Sequence, residues 1–207
     1  MMFSGAQQML WQRVLDFWFD DGLDKGWPSH NMSGLWFRAD RSVDKGIAEQ
    51  FGHLVEAALY NELVDWEARP LSRLALILLL DQFTRNIYRG SGQAFAGDHR
   101  AVTLVLEGLA RGMDRELPWV GRVFFLMPLM HAEDEDLQQR CVQEFESLQA
   151  QAPAEIAGKI AGNVAFAREH RDIVARFGRF PHRNQALERE SSAEEQAFLG
   201  SGPRYGQ

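Results

Sequence analysis

Apolar residues recur three and four positions apart along almost the whole chain, the spacing that gathers them on one side of an α-helix. From Gln7 to Asp20, Leu10, Val14 and Phe17 form a stripe with Trp11 and Trp18 beside it. Residues 21–34, rich in Asp, Gly, Pro, Ser and Asn, read as a loop. Asp40 to Glu62 predicts a helix with Ile47, Phe51, Leu54 and Ala58 on its apolar face. Pro70 suits the first turn of the next helix, where its missing N–H is not needed, and Gly90 ends that helix just after Tyr88. Asp98 is a candidate N-cap for a helix to Gly112. Pro118 opens a short apolar helix to about His131, Glu135 to Ala150 is amphipathic, and Pro153 opens the longest helix, stopped after Phe177 by Gly178 and Pro181. A last short helix follows a Ser-Ala-Glu-Glu capping pattern, from about Ser192 to Leu199. Strand-type alternation is absent, so the expectation is an all-α fold of antiparallel helices joined by short Gly/Pro loops. No strict 34-residue repeat and no low-complexity linker divide the chain. We expect one helical domain over 1–207, with a C-terminal tail from about residue 200.

Three apolar stripes turn polar toward their C-terminal ends. The longest helix presents Ile156, Ile160, Asn163, Ala167, His170, Val174 and Phe177 on one face. The helix after Pro70 presents Leu74, Leu78, Asp81, Arg85 and Tyr88, and its first half is apolar all round, which marks it as central. The short helix presents Val120, Phe124, Met127 and His131, and Pro128 inside it should kink it. A buried polar group without a partner costs about 1–3 kcal/mol. These side chains must therefore meet each other, water or a ligand. A purely structural network would pair Asp81 with Arg85 and set the histidines on backbone carbonyls. The alternative is that the helix ends converge on one pocket.

Composition narrows the class. The chain has 207 residues, 45% hydrophobic and 25% charged, as in ordinary globular proteins. It is long enough to bury about 70% of its unfolded surface without disulfides or metals. Twenty-two basic against 29 acidic residues leave a net charge of −7, a field that repels nucleic acid and anionic membranes, so neither is expected as a partner. Cys141 is the only cysteine and lies in a helical pattern, which makes it a small buried thiol. The longest apolar runs, Leu74 to Leu80 and Val123 to Met130, fall far short of the about 20 residues a membrane span needs. No secretory signal is visible, and a cytoplasmic location is expected.

Candidate chemistry gathers near the C-terminus. From Arg168 to Arg183 there are five arginines and two acids, whereas Glu133 to Glu155 holds seven acids and one arginine. These faces either neutralise each other or form an arginine–histidine cradle for a carboxylate or phosphate, which guanidinium forks suit. His131 and the acids after it, with His170 and His182, are conceivable metal ligands, yet a histidine beside an acidic helix start more often serves as a cap; we expect no metal or cofactor. Gly90-Ser91-Gly92 lacks the Gly-Lys-Ser/Thr of a phosphate loop, and there is no nucleophile elbow or zinc-protease helix.

The stretches Phe17-Trp18-Phe19, Leu35-Trp36-Phe37, Leu78 to Gly90, Ala94 to Asp98, Phe124 to Asp134 and Arg176 to Asn184, with the tail Ser192 to Leu199, resemble a mainly bacterial family, domain of unknown function 924. The resemblance covers almost the whole chain. It implies a tetratricopeptide-like right-handed superhelix of helix hairpins, and no established reaction. Thr84 stands where similar sequences carry proline, which restores a backbone donor and should straighten that turn. Two functions follow as expectations. In the first, a binding module holds a small anionic molecule or a peptide carboxylate, with Asp81, Arg85, His131, Glu133, His170, Arg179 and His182 as site residues. In the second, a hydrolase or acid–base enzyme, with or without a metal, uses Asp81 or Glu133, a histidine and the arginines. A structural protein-binding domain is a third option, and would show an exposed apolar patch.

Overall fold

Chain-local signals place most element ends. In the computed structural model, which describes residues 5–200 and 202 and side chains from Met9 onward, every regular element among the described residues is helical. The expected tail beyond residue 200 lies almost wholly outside them. The helices are α1 (Gly5–Phe19), α2 (Gly22–Lys25), α3 (Ser33–Phe37), α4 (Arg41–Leu59), α5 (Pro70–Leu78), α6 (Thr84–Ile87), α7 (Asp98–Ala110), α8 (Trp119–His131), α9 (Glu135–Gln151), α10 (Ala154–Phe177) and α11 (Ala193–Leu199). Asp40 caps α4 by accepting from the backbone N–H of Ser42 and Val43, and Asp134 caps α9 through Leu137. Ser192 and Glu195 close a reciprocal capping box on α11. Gly178 ends α10 with φ 68°, a left-handed conformation that glycine adopts without a Cβ penalty.

The core forms around α5. Every side chain from Ser72 to Leu80 is buried, and α5 packs on α1, α7 and α8. Trp18, Phe19, Phe83 and Phe124 join it through edge and tilted ring contacts. Each fully buried large apolar side chain contributes about 1.5–3 kcal/mol. Helix α9 packs on both α8 and α10, the arrangement that short connections between successive helices impose. No helix among the described residues is long and apolar enough to cross a membrane.

Two expectations change. The segment 21–34 is not plain loop, because it contains α2 and leads into α3. Asp21 organises it by accepting from Lys25 and from the Ser29 backbone, and the Val120 N–H ties Gly26 to the start of α8. Trp36 Nε1 donates to the Trp18 carbonyl at 2.8 Å and pins α3 to α1. The helix after Pro70 is not one regular rod to Tyr88 either. Between α5 and α6 the rod widens into one π-type turn, Leu79–Phe83, and the Thr84 hydroxyl donates to the Leu80 carbonyl.

Candidate functional site

The π turn, the end of α8 and the second half of α10 meet at one end of the core. Asp81, on the π turn, is fully buried. Its Oδ1 lies 2.7 Å from His131 Nδ1, and its carboxylate also accepts from the Gln82 amide. Burial alone would push the Asp81 carboxyl up; the charges of His131 and Arg85 and these hydrogen bonds outweigh it and hold the group well below the usual carboxylate range. An ionised carboxylate only accepts, so His131 Nδ1 carries the proton between them.

Arg85 does not take Asp81 as its principal partner, contrary to the spacing argument. Its Nη1 and Nη2 grip Asp98 Oδ1 and Oδ2 at 2.8 and 2.9 Å. The nearest Asp81 carboxylate oxygen lies at 3.3 Å, and Nη1 also donates to the Asp81 carbonyl. The reason is geometric. A two-pronged cation prefers a carboxylate that offers both oxygens, and those of Asp81 already serve His131 and Gln82. Asp98 is consequently not the cap of α7. Gly97 occupies that place, and the Asp98 carboxylate turns back to the arginines.

Arg183 closes the cluster from the C-terminal segment. Its Nη2 donates to the His131 carbonyl at 2.9 Å, and its Nη1 lies 3.3 Å from Asp98. The guanidinium lies over the rings of Phe95 and Phe180. Burial and the neighbouring Arg85 charge pull it down to about 10. His170 sits 6.5 Å from His131, ring to ring, with its Nδ1 2.8 Å from the Phe166 carbonyl. Burial, reinforced by the charge of His131, pushes it down to about 3, so it is neutral near pH 7.

The other sequence candidates lie in a second cluster. Glu133 accepts both prongs of Arg189 and the Phe180 N–H, and Arg179 forks onto Glu195 at 2.7 and 2.9 Å. His182 packs on Phe180, and burial together with the Arg183 charge depresses it to about 3. These contacts lash residues 178–199 to the ends of α8 and α10. Glu133, Arg179 and His182 therefore hold the segment that carries Arg183 and do not line the cavity described next. The two runs meet at Arg168 and Glu146, whereas Glu133 and Arg179 take partners outside them, Arg189 and Glu195.

Beside Asp81 and His131 opens a cavity of about 520 Å³, in the range of small-molecule sites. Phe124, Met127 and Met130 of α8 are buried in its wall. Gln82, His131, Asn163 and His170 supply its polar surface. Phe37 and Phe166 also line it, although 58% and 52% exposed. Four cationic side chains line it too, Arg38, Arg85, Arg89 and Lys159, and no carboxylate does. Arg89 is forked onto Asp44, and Lys159 lies over the Trp27 ring. Stripe reasoning reached Arg85, His131, Asn163 and His170. It missed Arg38, Arg89 and Lys159; the only signal for Arg38 was its place directly after Leu35-Trp36-Phe37.

His131, His170 and His182 do not assemble a metal-ligand set. Among the described residues, ligand atoms of three such groups come together only at Asp20, Asp21 and His30, on the surface. Cys141 is buried, and burial raises its pKa, so it stays a thiol.

An all-helical fold with a basic, aromatic cavity beside a buried Asp–His pair defines the class. Residues 14–203 match the model of a bacterial protein family of unknown function, DUF924, and the chain belongs to it. It is also similar to the solved structure of a protein of unknown function from Agrobacterium tumefaciens, with 38% identity, a TM-score of 0.78, and 95% of this chain and 99% of that one covered. No curated protein matches the chain.

Proposed function

We propose that the cavity holds a small anion with an apolar body. The observation that carries this is the lining: four cationic side chains over an aromatic and methionine wall, without a carboxylate, in a protein of net charge −7. Asp98 and Asp44 hold Arg85 and Arg89 from behind, which orients their guanidinium groups. Arg38 and Lys159 sit in exposed positions where they can draw an anion in. An apolar body would cover Phe37 and Phe166 and explain why two large rings remain in water.

Thermal-shift titration with straight-chain and aryl carboxylates and phosphates tests the proposal. A ligand at a hundred times its Kd should stabilise the protein by about 2.7 kcal/mol. The double variant Arg38→Glu/Lys159→Glu changes two exposed positions and gives up the Lys159 contacts with Glu155 and the half-buried Trp27 ring; it should stay folded with a Tm within a few degrees of wild type while losing about tenfold or more in affinity. Added salt should weaken binding to wild type more than to the variant. If no compound shifts the Tm, or the variant binds as tightly, the reading fails. A second reading, in which the bound molecule is a substrate, is favoured by the Asp81–His131 pair.

A further inference from the structure

We propose that His131 is a general base and that the molecule held in the cavity is a carboxylic ester carrying a separate anionic group, hydrolysed by a water that His131 activates. The inference rests on the cavity being a ligand site. Asp81 has no access to solvent, and its Oδ1 faces His131 Nδ1 at 2.7 Å. That contact sets the tautomer. Nδ1 carries the proton, which leaves the lone pair on Nε2, and the His131 side chain lines the cavity. The backbone around the ring is tied down as well. Arg183 holds the His131 carbonyl, and the Gln138 amide donates to the carbonyls of Met130 and Ala132 at 2.7 Å each. A basic nitrogen held in one orientation beside a cavity that can take a ligand is what proton transfer requires.

The lining also selects the nucleophile. It contains no Ser, Thr, Cys, Tyr, Asp or Glu, so no side-chain hydroxyl, thiol or carboxylate is at hand to form a covalent adduct. Water is the nucleophile that remains for the base. A water proton passes to Nε2 as the water oxygen bonds to the ester carbonyl carbon. The charge that the ring acquires faces the Asp81 carboxylate. The tetrahedral adduct then breaks its C–O bond to the leaving alkoxide, which takes the proton back from Nε2. The products are one acid and one alcohol, and the ring is neutral again. Asn163 and Arg85 are among the donors on the cavity wall that can serve the carbonyl oxygen, and the cations of the site favour an ester that bears its own carboxylate.

The test uses mono-4-nitrophenyl esters of straight-chain dicarboxylic acids of four to ten carbons, with the matching 4-nitroanilides as slow analogues for binding. Wild type should release 4-nitrophenolate with saturation. His131→Gln and Asp81→Asn should lower kcat at least 100-fold with anilide Kd within about threefold, in line with the 10²–10⁴ typical of a general base. Free imidazole should restore turnover to His131→Ala, which a merely structural role would not produce. His53→Gln, on the exposed face of α4, should leave the rate unchanged. If the anilides bind but the esters are not turned over, or turnover survives His131→Gln, the base assignment is overturned and the ligand site stands. If no anilide binds, the ligand reading itself fails and takes this one with it.

Discussion

Arg73 shows how far partner geometry can carry a charged side chain into an apolar helix. It lies among Leu71, Leu74 and Leu76, yet is fully buried, with Nε 2.9 Å from the Glu67 carbonyl and Nη1 2.8 Å from the Leu104 carbonyl. Arg73→Met should strip the Glu67 and Leu104 carbonyls of their guanidinium donor and lower the urea-unfolding free energy by about 1–3 kcal/mol. A loss under about 0.5 kcal/mol would refute that account. His170 and His182 make a second case. Both are held at about 3 against the ordinary histidine value of 6.5, so each is neutral when folded and gains a proton on unfolding in mild acid. Their stabilising contribution is complete above pH 6.5 and is lost as pH falls toward 3, with a slope of up to about 1.4 kcal/mol per pH unit for each ring. Asp81 and Glu133 are depressed carboxylates, so their contribution is lost only lower, as pH falls from the ordinary carboxylate range through their folded values. Urea melts from pH 7.5 to 4.5 should show the decline starting near pH 6.5; a flat profile to pH 5 would contradict the neutral histidines.

Elements divide into those whose ends are set by adjacent residues and those set by neighbours. The capping box at Ser192 and the stop at Gly178 were legible because each signal acts within one helical turn; the N-cap expected at Asp98 failed because that carboxylate is drawn to the arginines. The π turn was not legible. Leu74, Leu78, Asp81 and Arg85 keep regular helical spacing, and nothing local announces an extra residue in the turn. What accompanies it is Gly97, packed so tightly on the Leu80 backbone that a Cβ would collide with the carbonyl. Gly97→Ala should force the start of α7 away from the π turn and carry Asp98 off Arg85. We expect a stability loss of about 1–3 kcal/mol, as for other overpacked sites, together with weaker ligand binding in the thermal-shift assay. Wild-type stability in this variant would show that the contact relaxes freely.

Across the whole molecule, the cavity unites residues that stripe reasoning found with residues it could not find. His131, Asn163 and His170 were legible because a polar residue on an apolar stripe must point inward. Arg38, Lys159, Phe37 and Phe166 were not, because each is exposed on its own element and matters only where α3 and α10 face each other across the opening. The basic C-terminal run looked like an anion cradle, but its Arg168, Arg179 and Arg183 serve Glu146, Glu195 and Asp98 instead. In a chain of net charge −7, the anion binding proposed above therefore rests on the cavity lining and not on the surface as a whole. By itself the sequence determined the helical class, most helix ends and the inward polar positions, because periodicity, capping and the cost of burying polar groups act along one segment. Only the tertiary structure decided which carboxylate each arginine holds, that His131 takes Asp81, and where the cavity opens. Those outcomes depend on distances between segments far apart in the chain, and a two-pronged cation goes to whichever carboxylate the packing sets before it.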